Sequence, residues 1–516
     1  MYFHSSISLF FVTIFSAVIA LGDVMPAAIF SDHMVLQSGM SVPVWGTADP
    51  GEKVTVKLNG QTQSATTGPD GKWMLRLPSL KVGGPFEMEI SGKNSIRVTD
   101  VLIGEVWLGS GQSNMAFTVS KKKASYAGLI NEDEEIAAAT YPQIRMFTGK
   151  SAKTYEPRSA IAGEWLVCSP DTVPGFSAVG YLFARDLQKE LKAPVGIITV
   201  AFGASTAESW IRRETVASDP QMKPMLDKFD ALVKFHKENP GTQTDKAPPP
   251  PQTINSRPGR PGPLRDPVQD QHQPTVLFNG MINPVIPYAI RGVLWYQGES
   301  IVGGKAGVAL YPHVMEALVT DWRKMWGQGN FPFYVVQLAA LQNASNNPMV
   351  REGQAAVLSL PKTGMAVTID IGDAKDVHPH NKAPLGDRLT RIALANVYGR
   401  KIEYSGPKYE SMRTVGAAVR LKFSHLGGGL MAKDGPLKWF QVAGADRQFV
   451  DAEAKIENGE VIVASDKVSA PVAVRYAWAN YPEGCNLYNA AGLPAAPFRT
   501  DDWDSLTKIA EEFTAK

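Results

Sequence analysis

The pattern of apolar and polar positions changes twice along the chain. In residues 23–100 short segments alternate strictly, as in residues 53–58 (KVTVKL), and turn signals such as residues 69–71 (PDG) separate them. Strict alternation over a few residues is typical of a strand with one buried face. We therefore predict an N-terminal β-sandwich module over residues 23–100.

From residue 101 to about residue 400, apolar runs alternate with amphipathic stretches. The runs at residues 101–108, 195–201, 292–296 and 365–371 predict strands, and residues 183–191 (FARDLQKEL) predict a helix. Strands separated by helices indicate an α/β domain with a mostly parallel sheet. In such a sheet functional residues gather in the loops at the carboxyl ends of the strands.

Three further segments complete the predicted organisation. Residues 219–273 form an insertion that begins as a helix and becomes rich in proline, with four consecutive prolines at 248–251; we place it near the mouth of the predicted site. Alternation returns in residues 401–516, which predicts a C-terminal β module. The apolar run at residues 7–21 predicts a signal peptide over residues 1–22 and export to the periplasm or the extracellular space. Because residues 1–6 contain no lysine or arginine, a retained anchor helix stays an alternative; after cleavage we expect no membrane association.

Composition narrows the class of protein. A chain of 516 residues is long enough for two to four domains, and its net charge of +2 argues against a nucleic-acid partner. Cys168 and Cys485 lack metal-ligand spacing; we favour two unpaired thiols over a single disulfide. The sequence leaves the oligomeric state open.

A serine follows the first apolar run of the predicted sheet. Residues 109–115 (GSGQSNM) place Ser113 on a glycine-rich turn, where small neighbours leave room for a substrate. The lipase-type elbow needs glycine two residues after the serine, but Met115 stands there, which disfavours that class. An activated serine also needs a base. Of the eight histidines, His378 and His380 follow the predicted strand at 365–371 amid several carboxylates, and we favour His378.

Four segments then resemble one known family. Residues 111–115 (GQSNM) resemble the first block of the SGNH hydrolases, and within them the group of sialate O-acetylesterases and acetylxylan esterases. Residues 202–210 (FGASTAESW), 295–300 (WYQGES) and 376–389 are similar to the later blocks, in the same order. The resemblance covers nearly the whole mature chain. It implies a three-layer α/β/α SGNH-hydrolase domain over residues 101–400, flanked by the two β modules.

The resemblance also implies roles for individual residues. Ser113 would be the nucleophile and His378 the base, and the oxyanion would be held by the N–H groups of Ser113 and Gly203 and by the side-chain amide of Gln297. The second block departs from the family, since Ala204 replaces an expected second glycine. No metal and no cofactor are expected.

The acid that orients His378 is less well determined. The family commonly has aspartate three residues before the histidine, where this chain has Lys375. Asp376 is two residues before, and residues two apart in an extended segment point to the same side, so we favour Asp376. Asp373, Asp370 and Glu299 are the alternatives, although Glu299 fits a structural hydrogen-bonding role better. The predicted reaction removes acetyl groups from sugar hydroxyls, with O-acetylated sialic acid as the favoured substrate. Acetylated xylan or another polysaccharide is the alternative, and an inactive carbohydrate-binding protein is the less favoured one.

Overall fold

The computed structural model describes residues 23–240, 265–301, 304–344 and 346–503. The predicted signal peptide and the four consecutive prolines lie outside these ranges. No helix among the described residues has both the length and the apolar character needed to cross a membrane.

The N-terminal part of the chain is all strands. They are β1 Met25–Pro26, β2 Val35–Gln37, β3 Val42–Thr47, β4 Lys53–Leu58, β5 Gln61–Thr66, β6 Lys72–Leu77, β7 Gly83–Ser91 and β8 Ser95–Gly111. Strands β1, β3 and β6 form one sheet, whereas β2, β4, β5 and β7 attach directly or through each other to β8. Because β8 has 17 residues, it runs past residue 100 without interruption and continues into the central sheet.

The central sheet carries the predicted parallel strands. Its further members are β9 Tyr141–Thr148, β10 Trp165–Cys168, β11 Val195–Ala201, β12 Gly292–Tyr296, β13 Phe333–Val336 and β14 Thr363–Ala366. The order is β10-β9-β11-β8-β12-β13-β14, and every neighbouring pair except β10 with β9 is parallel. Together with β2, β4, β5 and β7, these strands make one mixed sheet of eleven strands. The predicted α/β class with a mostly parallel central sheet is confirmed.

Different helices cover the two faces of this sheet. The helices are α1 Ser113–Ala116, α2 Glu132–Ala137, α3 Ala178–Leu191, α4 Arg213–Ser218, α5 Lys223–Glu238, α6 Gly304–Trp326, α7 Asn347–Ala356 and α8 Ala383–Asn396. Buried residues of α3 and α8 pack with Leu294 and Tyr296 of β12, whereas α6 packs with Val293 and Trp295 of the same strand. The core between α6 and the sheet is continuous with the core of the N-terminal strands. The helix predicted at residues 183–191 is confirmed as part of α3.

The C-terminal part returns to strands. They are β15 Lys408–Val415, β16 Ala418–Ser424, β17 Leu430–Ala432, β18 Phe440–Ala443, β19 Val450–Asp451, β20 Glu453–Glu457, β21 Glu460–Ala464, β22 Ala473–Tyr476, β23 Leu487–Asn489 and β24 Phe498–Arg499. They form three small sheets. The buried guanidinium of Arg351 fastens this part to the central sheet, since it donates to the carbonyls of Leu338 and Ala339 on one side and of Ala479 and Asn480 on the other.

One predicted strand is shorter than expected, and its end has a physical reason. The strand predicted at 365–371 leaves the sheet after Ala366. Two of its remaining apolar residues, Val367 and Ile369, pack into the core of the C-terminal part instead. Residues 367–382 are therefore free to form the loop that carries His378. The two cysteines are buried and unpaired, as favoured from the sequence.

Candidate active site

The segments that follow β8, β11, β12 and β14 meet at one edge of the central sheet. These four strands are parallel, so their carboxyl ends lie on the same side. The segments carry Ser113, Gly203, Gln297 and His378 respectively. The residues predicted from four separate motifs are thereby collected at the edge where α/β sheets hold their ligands.

Ser113 is displayed by a close approach of two strands. Strand β8 runs to Gly111, so residues 109–111 belong to the strand and not to the turn predicted from the sequence. Gly111 has φ +130°, and a Cβ there would stand 2.1 Å from the carbonyl oxygen of Tyr296 on β12. Only glycine fits this position. Ser113 follows as the first residue of α1, with its side chain at the carboxyl edge of the sheet.

His378 reaches the serine. Its Nε2 lies 2.8 Å from Ser113 Oγ, a hydrogen-bond distance. Burial lowers the pKa of His378, against a smaller raising effect of Asp376, so the ring is neutral at pH 7 and can accept a proton. His380 makes no contact with the serine: its Nδ1 lies on the carbonyl oxygen of Gly128, and its Nε2 lies 3.4 Å from Asp376 Oδ2. The geometry therefore agrees with the choice of His378 over His380.

Asp376 is the carboxylate beside this histidine. Its Oδ1 lies 3.4 Å from His378 Nδ1 and also accepts a 2.8 Å hydrogen bond from the His378 backbone N–H. The Asp376 side chain is 40% exposed. Asp376 therefore holds the backbone of His378 by a hydrogen bond, whereas its 3.4 Å contact with the imidazole is longer than a hydrogen bond.

The three alternative acids have other partners. Asp370 makes a bidentate ion pair with Arg388 and accepts from the Tyr488 hydroxyl. Asp373 caps its own loop, and the backbone N–H groups of Lys375 and Asp376 that it accepts lower its pKa. The remaining candidate, Glu299, accepts a hydrogen bond from the side-chain amide of Asn114.

Backbone around Gly203 lies against the serine. A Cβ built on Gly203 would be 3.8 Å from Ser113 Cβ, an ordinary van der Waals distance, so the Gly203 backbone lies beside the serine side chain. Ala204, the departure from the family's glycine, has φ +54°. A left-handed conformation is one that glycine adopts without cost and alanine does not, so the glycine expected here from the resemblance would fit this backbone better.

Gln297 lies beneath the site, and its amide is fully used. Its Nε2 donates to the carbonyls of Ser205 and Ser300, at 3.1 and 2.8 Å, while its Oε1 accepts from the Tyr311 hydroxyl. The side chain is fully buried. To serve an oxyanion it would have to give up one of these bonds, since an amide has only two hydrogens. The oxyanion role stays a prediction, and this structure gives the amide a different one: it joins the loops after β11 and β12 to helix α6.

A buried polar group behind Ser113 joins the other elements. Asn114 Nδ2 donates to Glu299 Oε1 at 2.6 Å and to the carbonyl oxygen of Val377 at 2.9 Å, and its Oδ1 accepts from Lys382 Nζ at 2.8 Å. Asn114 follows the serine and Val377 precedes His378, so one amide links the two segments directly. We call Asn114, Glu299 and Lys382 the buried triplet.

The charges of the buried triplet are strongly perturbed. Lys382 is 1% exposed, with Nζ 4.4 Å from the centre of the Phe117 ring. Burial lowers its pKa to about 7, although Glu299 opposes the shift. Burial likewise raises the pKa of Glu299, against the hydrogen bond from Asn114. The group is held at a cost in desolvation.

Sequence reasoning assigned no role to Asn114 or Lys382. A signal did exist for Lys382, which occupies the N-cap of α8. That position favours serine, threonine, aspartate or asparagine, and a cation is unfavourable there because of the helix dipole. A lysine against both preferences indicates a specific partner. Within the described ranges, no group of three or more histidine, cysteine, aspartate or glutamate side chains is arranged to hold a metal ion.

Comparisons with known proteins agree with one another. Residues 272–395 match the family model described as carbohydrate esterase, sialic acid-specific acetylesterase. The sialate O-acetylesterase of Mus musculus is 29% identical over 92% of this chain and 93% of its own length, and that of Homo sapiens is 28% identical over 92% and 91%. The crystal structure of a carbohydrate acetylesterase from Xanthomonas citri is 32% identical, with a TM-score of 0.78 over 93% of this chain and 100% of its own.

Proposed function

We propose that this chain, which belongs to the sialate O-acetylesterase family of carbohydrate esterases, removes acetyl groups from the hydroxyls of a sugar. The observation that supports this most strongly is the 2.8 Å contact between Ser113 Oγ and His378 Nε2 at the edge where four loops meet. A nucleophile and a base at hydrogen-bond distance are the minimum machinery of serine-dependent ester hydrolysis.

The mechanism follows from these two side chains. Ser113 Oγ attacks the acetyl carbonyl while His378 Nε2 takes its proton, and the protonated ring then gives that proton to the departing sugar oxygen. The acetyl group is left on Ser113. A water molecule, deprotonated by His378, attacks this second ester, and acetate leaves with Ser113 restored. Each step uses only protein groups and water.

The developing oxyanion needs donors that are in place before the reaction. We assign this role to the backbone N–H groups of Ser113 and Gly203, because the latter residue lies against the serine. Ser113 N–H is at the start of α1, where a helix provides no acceptor for it. Gln297 would join them only after releasing Ser205 or Ser300.

The substrate within the class of acetylated sugars is proposed from the relatives. O-acetylated sialic acid is favoured, because the curated relatives are named sialate O-acetylesterases. Acetylated xylan or another polysaccharide is the alternative. An inactive carbohydrate-binding protein is disfavoured by the intact pair of serine and histidine.

The organisation around the site is part of the same proposal. We infer that helices on both faces of the central sheet form the three-layer α/β/α arrangement of an SGNH hydrolase over residues 101–400. The flanking modules would span 23–100 and 401–516, with 219–273 as an insertion. Residues 1–22 would direct export to the periplasm or extracellular space.

Acetate release from a panel of acetylated sialosides, xylans and simple sugars tests the proposal. Ser113→Ala should lower kcat by several orders of magnitude without unfolding, since loss of the nucleophile typically does so. His380→Ala is the matched control and should keep at least about a tenth of the activity, a ceiling of ~1.4 kcal/mol on its role. Wild-type-like turnover by a folded Ser113→Ala protein would refute serine catalysis.

A further inference from the structure

An exposed aromatic ring lies against the candidate base. The centre of the Tyr126 ring is 4.7 Å from that of the His378 ring, with 43° between the planes, and 6.4 Å from that of Phe117. Phe117 is fully buried, whereas Tyr126 keeps 37% of its surface in contact with solvent. Tyr126 is therefore a wall of the site that a substrate can touch.

The segment that carries Tyr126 is fastened to the segment of the base. His380 Nδ1 lies 2.5 Å from the carbonyl oxygen of Gly128, and the N–H of Ile130 donates to the carbonyl oxygen of His380 at 3.2 Å. Gly128 has φ +105°, and a Cβ there would stand 2.6 Å from a carboxylate oxygen of Glu132. These contacts fix the backbone on the C-terminal side of Tyr126 relative to His378. The ring is thus presented next to the reacting atoms and not folded away from them.

We propose that Tyr126 is the platform on which the sugar ring of the acetylated substrate stacks, and so determines specificity for sugars over simple acetyl esters. This rests on the proposed function. A pyranose ring has faces of C–H groups, and an aromatic ring offers them a negatively polarised face. Contacts between these C–H groups and an aromatic face have little directional preference. They leave the hydroxyls, which lie around the edge of the sugar ring, free to make other hydrogen bonds.

The distances suit a short ester. His378 touches Ser113 through Nε2 at 2.8 Å, and Tyr126 packs beside the same imidazole. Ser113 and Tyr126 therefore both contact the imidazole of His378, one at Nε2 and the other through its ring. An acetyl ester joins its carbonyl carbon to the sugar through a single oxygen, so both groups can be held at once.

A second role for Tyr126 would be only to orient His378, and the two roles have different kinetic consequences. A platform for the sugar affects sugar esters more than ethyl acetate, which has no ring to stack. An orienting contact affects both substrates equally, because both need the same base. The informative quantity is therefore the ratio of kcat/KM for an acetylated monosaccharide to that for ethyl acetate.

The experiment measures this ratio by acetate release for the wild type, Tyr126→Ala, Tyr126→Leu and Tyr126→Phe. We expect the ratio to fall roughly 3- to 10-fold in the alanine and leucine variants, mainly through KM for the sugar ester, as befits one aromatic contact. Tyr126→Phe, which keeps the aromatic ring, should have the same ratio as the wild type. Ile130→Ala is the matched control: it removes a 76% exposed side chain from the same loop, keeps the main-chain N–H that donates to His380, and should leave the ratio as in the wild type.

Each other outcome overturns the inference. An equal loss on both esters would make Tyr126 an orienting residue, and an unchanged ratio would give it no part in binding the sugar. Leucine serves if the alanine variant fails to fold. Failure of the proposed function itself is a separate result, because it would appear as full activity of Ser113→Ala, whatever the ratio.

Discussion

The orienting acid offers the sharpest test of the site, through Asp376→Asn. The substitution removes the charge 3.4 Å from His378 Nδ1. It keeps an oxygen for the 2.8 Å hydrogen bond from the His378 backbone N–H. The hydrogen bond that holds the loop is therefore preserved, while the carboxylate charge is removed from beside His378 and also from beside His380, whose Nε2 lies 3.4 Å from Asp376 Oδ2.

The size of this effect follows from distance and exposure. Two unit charges 3.4 Å apart attract by ~1 kcal/mol in water and by ~5 kcal/mol at an effective dielectric constant of ~20. Because Asp376 is 40% exposed, screening places the interaction toward the lower value, at about 1–3 kcal/mol. Charge loss should then lower kcat by about 5- to 150-fold, since ~1.4 kcal/mol corresponds to tenfold in rate. This is less than the loss of about 10⁴ for a buried acid that is hydrogen-bonded to its histidine.

The assay is acetate release over a range of pH. Asp376 raises the pKa of His378, so its neutralisation should also move the acid limb of the kcat/KM profile to lower pH. A change confined to packing would not move that limb. Asp373→Asn is the control, because within the described part of the chain Asp373 accepts hydrogen bonds from the backbone N–H groups of Lys375 and Asp376 in its own loop, and we expect less than about a twofold change in rate.

Two results would refute this reasoning. A loss as great as that of Ser113→Ala would mean that the exposed carboxylate is not screened as its surroundings require. Normal turnover by Asp376→Asn together with a large loss in Glu299→Gln would transfer the role of the acid to the third block.

Two further predictions concern titration. The kcat/KM of the wild type should fall with an acid limb centred below pH 6.5, because burial lowers the pKa of His378, and a centre above 6.5 would contradict this. Lys382 has a pKa of about 7 when folded but 10.5 when unfolded, so between these values only the unfolded chain holds the proton. Stability should therefore rise with pH in this window, by at most ~1.4 kcal/mol per unit, and Lys382→Met should lose that slope in urea unfolding at pH 7 and pH 9. Equal slopes in both proteins would place Lys382 in contact with water.

The parts of the site that obey general rules could be predicted from the sequence. Ser113 follows an apolar run, His378 follows another, and parallel strands place both loops at one edge. The preference for His378 over His380 rested on local residue chemistry and on a family motif. The 2.8 Å contact with the serine agrees with it.

Other features depend on partners that are distant in sequence. The hydrogens of Gln297 are taken by Ser205 and Ser300, and no pattern within residues 295–300 indicates that the loop after β11 supplies one acceptor. The early end of β14 depends on the C-terminal core, which accepts Val367 and Ile369. Periodicity shows that a residue is buried but not which core receives it.

The cost of the buried triplet can be understood from the geometry of one amide. Asn114 must turn its Nδ2 toward the carbonyl oxygen of Val377 to hold the loop of the base against the helix of the nucleophile. Two acceptor oxygens at Nδ2, from Glu299 and Val377, and the Lys382 amino group as a donor at Oδ1 favour only one orientation of the amide. Reversal would place the Asn114 oxygen against acceptors and its NH₂ group against a donor. Burying Lys382 costs desolvation energy, which lowers its pKa to about 7. In return, the fixed amide of Asn114 keeps the loop of His378 at hydrogen-bond distance from Ser113.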